Sequence, residues 1–123
     1  MQYATLTYLN LSDEFFKKDL KERYVARIEL LASTLSFLGF EVVKPEGAYY
    51  LFVKFRGVKA LSSFDDPMEA AMFLLEEVGV ACVPGNNFYS KAVQEGALFL
   101  RFAACRSEAD VAEACRRLRK HLA

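Results

Sequence analysis

Pro45-Glu46-Gly47-Ala48-Tyr49-Tyr50-Leu51-Phe52-Val53-Lys54-Phe55 sets the fold. Aromatic and β-branched residues crowd positions 48–55, which is the composition of a strand. Pro45-Glu46-Gly47 ahead of it is a turn. Phe40-Glu41-Val42-Val43-Lys44, just upstream, reads as a short strand. A link this tight joins antiparallel neighbours, because a parallel pair needs a crossover of about a dozen residues or more.

Upstream, Leu11-Ser12-Asp13-Glu14 is a helix start with acidic residues in the first turn. From about Asp13 to Leu38 the spacing predicts one long amphipathic helix, the longest element of the chain. Phe16, Leu20, Tyr24, Ile28, Leu31, Leu35 and Leu38 recur at threes and fours and share a face. Leu31 and Leu35 are expected to be buried, and Lys17 and Lys21 exposed. Gly39 stands where a left-handed residue ends a helix. Residues 1–11 show no clear period.

Downstream, 56–64 is an irregular connector. Asp66-Pro67-Met68-Glu69 opens a second helix: Asp66 caps, Pro67 suits the first helical position, and Glu69 completes a capping-box pattern. That helix is expected to end at Val78 before Gly79. Val80-Ala81-Cys82-Val83 reads as a short buried strand stopped by Pro84-Gly85, and 86–95 as a polar loop. Residues 97–104 form the fourth strand. Ser107 and Asp110 begin a last helix, with Val111, Cys115, Leu118 and Leu122 on one face. The expected fold is α+β, in the order α-β-β-α-β-β-α, with helices covering a small, mostly antiparallel sheet.

The 123 residues suit a single domain, 1–123. Acidic and basic side chains balance at 16 each, so nothing draws the chain to nucleic acid or an anionic membrane. No apolar run is long enough to span a bilayer, and Met1-Gln2-Tyr3-Ala4 does not open a signal peptide. Cys82, Cys105 and Cys115 are an odd set without a Cys-x-x-Cys pair, read as reduced, mostly buried thiols of a cytoplasmic protein. With one histidine, His121, and no ligand spacing, no metal site is expected. The apolar share is 54% against an ordinary 45–50%. An exposed apolar patch and self-association are therefore expected.

Arg101 is the leading candidate for chemistry. In Leu98-Phe99-Leu100-Arg101-Phe102-Ala103, alternation puts Leu98, Leu100 and Phe102 on one face and Phe99, Arg101 and Ala103 on the other. A guanidinium between Phe99 and a small Ala103 is partly desolvated, and it suits a carboxylate gripped through two parallel hydrogen bonds. The same pattern also fits an arginine on the solvent face of an edge strand. Val83-Pro84-Gly85-Asn86-Asn87-Phe88-Tyr89 is the second candidate, a turn that presents side chains to a cleft or an ordinary surface loop. The basic run Arg116-Arg117-Leu118-Arg119-Lys120-His121 matches the dipole of a helix C-terminus and implies no partner. No Ser-His-Asp set, phosphate-cradling glycine loop or metal cluster is present.

Read in order, these segments resemble the C-terminal end of class I/II aminotransferases, the fold-type-I family. Tyr24-Val25-Ala26-Arg27-Ile28-Glu29 is similar to the family's Tyr-x-x-Arg-Arg-Asp, with Ile28 in place of its second Arg. Leu38-Gly39-Phe40 and Pro45-Glu46-Gly47-Ala48-Tyr49-Tyr50-Leu51-Phe52 resemble its Pro-x-Gly-Ala-Phe-Tyr-Leu-Phe strand. Leu74 to Ala81 leads into Val83-Pro84-Gly85-Asn86-Asn87-Phe88, similar to Val-x-Pro-Gly-x-x-Phe. Leu100-Arg101-Phe102 and the Ser107 helix close the series.

The resemblance implies the small domain of an enzyme that transfers an amino group between an amino acid and a 2-oxo acid. It implies that Arg101 binds the substrate α-carboxylate. Asn86 and Phe88 fall in a turn near the substrate pocket, where Asn86-Asn87 replaces smaller residues. The catalytic lysine, the acidic partner of the pyridine nitrogen and the phosphate cradle belong to the family's large domain, so pyridoxal phosphate is implied for the full-length enzyme and none for this chain. No catalytic or cofactor-binding residue is assigned here. The implied partners are the large domain and a second copy in a homodimer. Met1 falls about where a small domain begins, which suggests a piece of a longer chain that is inactive alone. The alternative is a stand-alone, non-catalytic α+β module that binds a carboxylate ligand or a protein partner. A small regulatory amino-acid-binding domain of ferredoxin-like fold needs a strand-helix-strand opening, against which the long helix argues.

Overall fold

Residues 1–90 and 93–123 are described by a computed structural model. Among them, α1 (Gln2–Leu9), α2 (Lys21–Phe37), β1 (Glu41–Val42), β2 (Tyr50–Lys54), α3 (Pro67–Phe73), β3 (Val83–Pro84), β4 (Phe99–Ala103) and α4 (Glu108–Leu122) follow in order. A wide helical turn, Phe15–Leu20, leads into α2, and a second, Leu74–Val78, extends α3. The α+β class stands, with one more helix at the front than the sequence pattern gave.

That extra helix is α1. It has no buried residue, so no apolar period marks it. The Thr5 and Thr7 hydroxyls donate back to the Met1 and Tyr3 carbonyls at 3.1 and 2.9 Å. Tyr8 packs edge-on against Phe15 and Phe16, 5.8 and 5.6 Å between ring centroids. Tyr3, Leu6 and Leu9 remain exposed.

The helical stripe buries progressively toward its C-terminus. Phe16, Leu20, Tyr24 and Ile28 are half-buried, whereas Leu31, Leu35 and Leu38 are buried and Lys17 and Lys21 are exposed. Gly39 ends the helix at φ +96° and Gly79 ends the α3 extension at φ +73°, both left-handed. The caps expected at both later helices are made. Met68 N–H donates to the Asp66 carboxylate at 2.9 Å, and Asp110 N–H to the Ser107 hydroxyl at 3.1 Å.

The sheet order is β1-β2-β4-β3, with every neighbouring pair antiparallel. Three strands are shorter than expected, and for separate reasons. Ala48 takes a left-handed φ of +58°, so β2 starts only at Tyr50. The first strand pairs at Glu41↔Lys54 and Val42↔Val53 alone. Residues 94–98 coil into a 3₁₀ turn, so β4 starts at Phe99. The short strand expected at 80–83 moves to Val83–Pro84, paired as Val83↔Arg101 and Pro84↔Leu100. A proline is tolerated there because β3 is an edge. The segment 86–95 holds a 3₁₀ turn at Gly85–Phe88, and part of it lies outside the described residues.

One face of the sheet carries Leu51, Val53, Leu100 and Phe102 into a core with Leu31 and Leu35 of α2 and Val111, Cys115 and Leu118 of α4. Of the three cysteines only Cys115 is buried; Cys82 is half-buried and Cys105 exposed, which corrects the expectation of mostly buried thiols. Burial still pushes the Cys82 thiol up to about 12.

Hydrogen bonds from Arg116 and Arg117 on α4 lower the Glu113 carboxyl from 4.5 to about 2. A carboxyl depressed on folding contributes stability above its unfolded value and loses it as pH falls through the folded one. Glu113→Gln is therefore expected to narrow its urea-midpoint gap to wild type as pH falls from 4.5 to about 2. A gap independent of pH across that window would contradict it.

Candidate functional site

The opposite sheet face is built by the other alternate residues. Tyr50, Phe52 and Lys54 of β2 lie on the same side as Phe99, Arg101 and Ala103 of β4, with Phe52 directly opposite Arg101 and Tyr50 opposite Ala103. Tyr50 is thus the diagonal neighbour of Arg101. β4 runs between β2 and β3, so Arg101 is on an interior strand and not on an edge.

Two aromatic rings close on the guanidinium. Arg101 Cζ lies 4.1 Å from the Tyr50 ring centroid and 4.2 Å from that of Phe88. Phe88 arrives on the turn Gly85–Phe88 that follows β3. Phe88 in turn meets the Phe52 ring edge-on at 5.5 Å, and Tyr50 packs on Tyr49 at 4.5 Å. Tyr49 stacks on Tyr24 of α2 at 5.8 Å. A hydrogen bond with Tyr50 raises the Tyr49 phenol. Arg101 Nε is buried and has no hydrogen-bond partner among the described residues. A buried donor on a charged group left without an acceptor is costly.

The structure brings Arg101 and Phe88 together. It leaves Asn86 apart, exposed at a hollow shared with Arg56, Asn87 and Glu95. Sequence reasoning missed Tyr50 as part of the site. Its signal was the period-two alignment with Phe52, which points to Arg101 only once the β2–β4 register is known.

The turn that carries Phe88 depends on Gly85. A Cβ there would stand 2.6 Å from the carbonyl oxygens of both Gly96 and Phe99 and 2.7 Å from Phe99 Cβ. Backbone on two sides cannot yield cheaply. Gly85→Ala is expected to lower unfolding free energy by about 1–3 kcal/mol in urea titration. An unchanged midpoint would contradict this close packing.

The family model of aminotransferase class I and II matches residues 1–118. The chain belongs to the class I and II aminotransferases. Among its relatives, a probable aspartate/prephenate aminotransferase of Aquifex aeolicus is 33% identical over 123 residues, 98% of this chain and 29% of that protein. A probable kynurenine–oxoglutarate transaminase of Saccharomyces cerevisiae is 30% identical, over 85% of this chain and 26% of that protein. The solved N-succinyldiaminopimelate aminotransferase of Mycobacterium tuberculosis superposes with a TM-score of 0.75 at 31% identity, covering 87% of this chain and 27% of that one. This aminotransferase chain thus spans less than a third of the length of the relatives it matches. Among its described residues no helix is long and apolar enough to cross a membrane.

Aminotransferases of these classes imply pyridoxal phosphate, and the residues of this sheet face do not fit it. The lysine of the face, Lys54, donates to Glu41 at 2.8 Å. That bond raises its pKa, whereas a lysine that bonds a cofactor carbonyl must readily give up its proton. What the face does offer is a planar cation with open hydrogen-bonding capacity, set among apolar rings.

Proposed function

We propose that residues 1–123 are the small domain of a larger pyridoxal-phosphate-dependent aminotransferase, in which Arg101 grips the α-carboxylate of an amino acid or 2-oxo acid. The observation that supports this reading is the Arg101 guanidinium in contact with the Tyr50 and Phe88 rings, with no carboxylate paired to it among the described residues. A guanidinium fork meets a carboxylate through two parallel hydrogen bonds. That grip fixes where the neighbouring carbon sits, which is a positioning contribution to rate. Pyridoxal phosphate, bound by a large domain outside these residues, supplies carbanion stabilisation when present. The large domain would also close the open aromatic face. A cytoplasmic homodimer completes the proposed assembly.

The division of labour is testable on the chain itself. Pyridoxal phosphate added to these 123 residues and trapped with borohydride is expected to leave no stoichiometric adduct at any single lysine. The same treatment of the chain joined to a large domain carrying the family's Ser-x-x-Lys segment should label that lysine. A single, fully labelled lysine within residues 1–123 would overturn the assignment.

A further inference from the structure

We propose that Tyr50 and Phe88 are positioning residues that hold the Arg101 guanidinium flat between their rings, so that its Nη edge is the one presented to a carboxylate. This deepens the carboxylate-binding reading of Arg101 and rests on it.

The argument starts from the two distances. At 4.1 and 4.2 Å from the ring centroids, Cζ is within stacking contact of both rings at once. A guanidinium makes no hydrogen bonds through its faces, so covering both costs it no donor. The rings attract the cation and block rotation of the plane. The two walls come from different parts of the chain, Tyr50 from the start of β2 and Phe88 from the turn after β3. Each wall is backed by another ring, Tyr49 behind Tyr50 and Phe52 beside Phe88. The plane is therefore held by the tertiary fold and not by one flexible neighbour.

The fork has two kinds of edge. Nε alone among the Arg101 nitrogens is both buried and without a partner. A side-on grip would need Nε and one Nη, and burial closes that edge to an incoming ligand. An end-on grip uses the two Nη atoms, which lie away from that buried position. A long, rotatable arginine normally loses freedom when it binds, and pre-organisation removes part of that loss before the ligand arrives.

The test is carried out on this chain with acetate as the probe, following by NMR the Arg101 Nε–H resonance for the ring contacts and the backbone amides of 99–103, which Arg101→Lys retains, for binding. In the wild type two flanking rings should shift the Nε–H resonance upfield, and acetate should move the amides saturably. Tyr50→Phe keeps the ring and should behave as wild type. Tyr50→Leu and Phe88→Leu should each lose much of the ring shift and weaken acetate binding roughly five- to tenfold. Phe88 is 43% exposed, so Phe88→Leu keeps the test valid where Tyr50→Leu disturbs folding. Arg101→Lys should abolish saturable binding. If it does so while both leucine variants bind acetate like the wild type, the sandwich is mere packing and the positioning role is wrong, although Arg101 still binds carboxylate. If the wild type shows no saturable shift, or Arg101→Lys binds as well as wild type, the carboxylate reading itself fails.

Discussion

Arg101→Lys in the whole aminotransferase is expected to lower kcat/KM for amino and 2-oxo acids by about 2–4 kcal/mol of transition-state stabilisation. That is roughly 30- to 700-fold at 1.4 kcal/mol per decade. Lysine keeps the charge but is a point donor on a flexible stem. It cannot make two parallel bonds to one carboxylate, and it offers the Tyr50 and Phe88 rings no planar cation to pack against. The substrate would still be attracted but would be held loosely, and loose alignment penalises proton transfer more than binding. Both half-reactions should suffer, because both substrates carry the same carboxylate. Affinity for pyridoxal phosphate should barely change. Kinetics with an amino acid and, separately, a 2-oxo acid check this, and wild-type kcat/KM in either would refute the clamp.

Leu35→Ala is expected to cost about 3–5 kcal/mol of unfolding free energy. Leu35 is fully buried, near the C-terminal end of α2, in the core formed by sheet and helices. Removing its branched end leaves a cavity that backbone cannot fill, since Leu35 C=O is also tied to Phe40 N–H at 3.1 Å where the chain turns toward β1. Domains of this kind hold only about 5–15 kcal/mol in total, so the loss is a large fraction. Phe37→Ala, two residues on but 74% exposed, should stay within about 0.5 kcal/mol of wild type. Urea unfolding of the pair checks both, and a Leu35→Ala loss below about 1 kcal/mol would mean that the core is not where the stripe places it.

What the sequence made legible follows from which forces leave a local trace. The Leu31, Leu35 and Leu38 spacing, the Asp66 and Ser107 caps and the Gly39 and Gly79 stops are local signals, and each recurs in the structure. Helix α1 left no trace because it buries nothing. The third strand was displaced because a two-residue edge strand is defined by its partner, β4, and not by its own composition. The face that Arg101 takes, opposite to Leu100 and Phe102, was legible from alternation. That Tyr50 lies beside Arg101 was not, because it depends on the register between two strands far apart in the chain. Asn86 was grouped with Phe88 because they are neighbours in sequence, but the 3₁₀ turn sends Phe88 toward Arg101 and leaves Asn86 at a separate hollow.

The central claim is that Arg101 receives a substrate carboxylate. A crystal structure of the whole aminotransferase with a bound 2-oxo acid tests it most directly. Both carboxylate oxygens should lie about 2.7–2.9 Å from the two Nη atoms of Arg101, with the guanidinium still stacked between Tyr50 and Phe88. A carboxylate bound elsewhere, with Arg101 paired to an acidic side chain or turned to bulk water, would contradict the account.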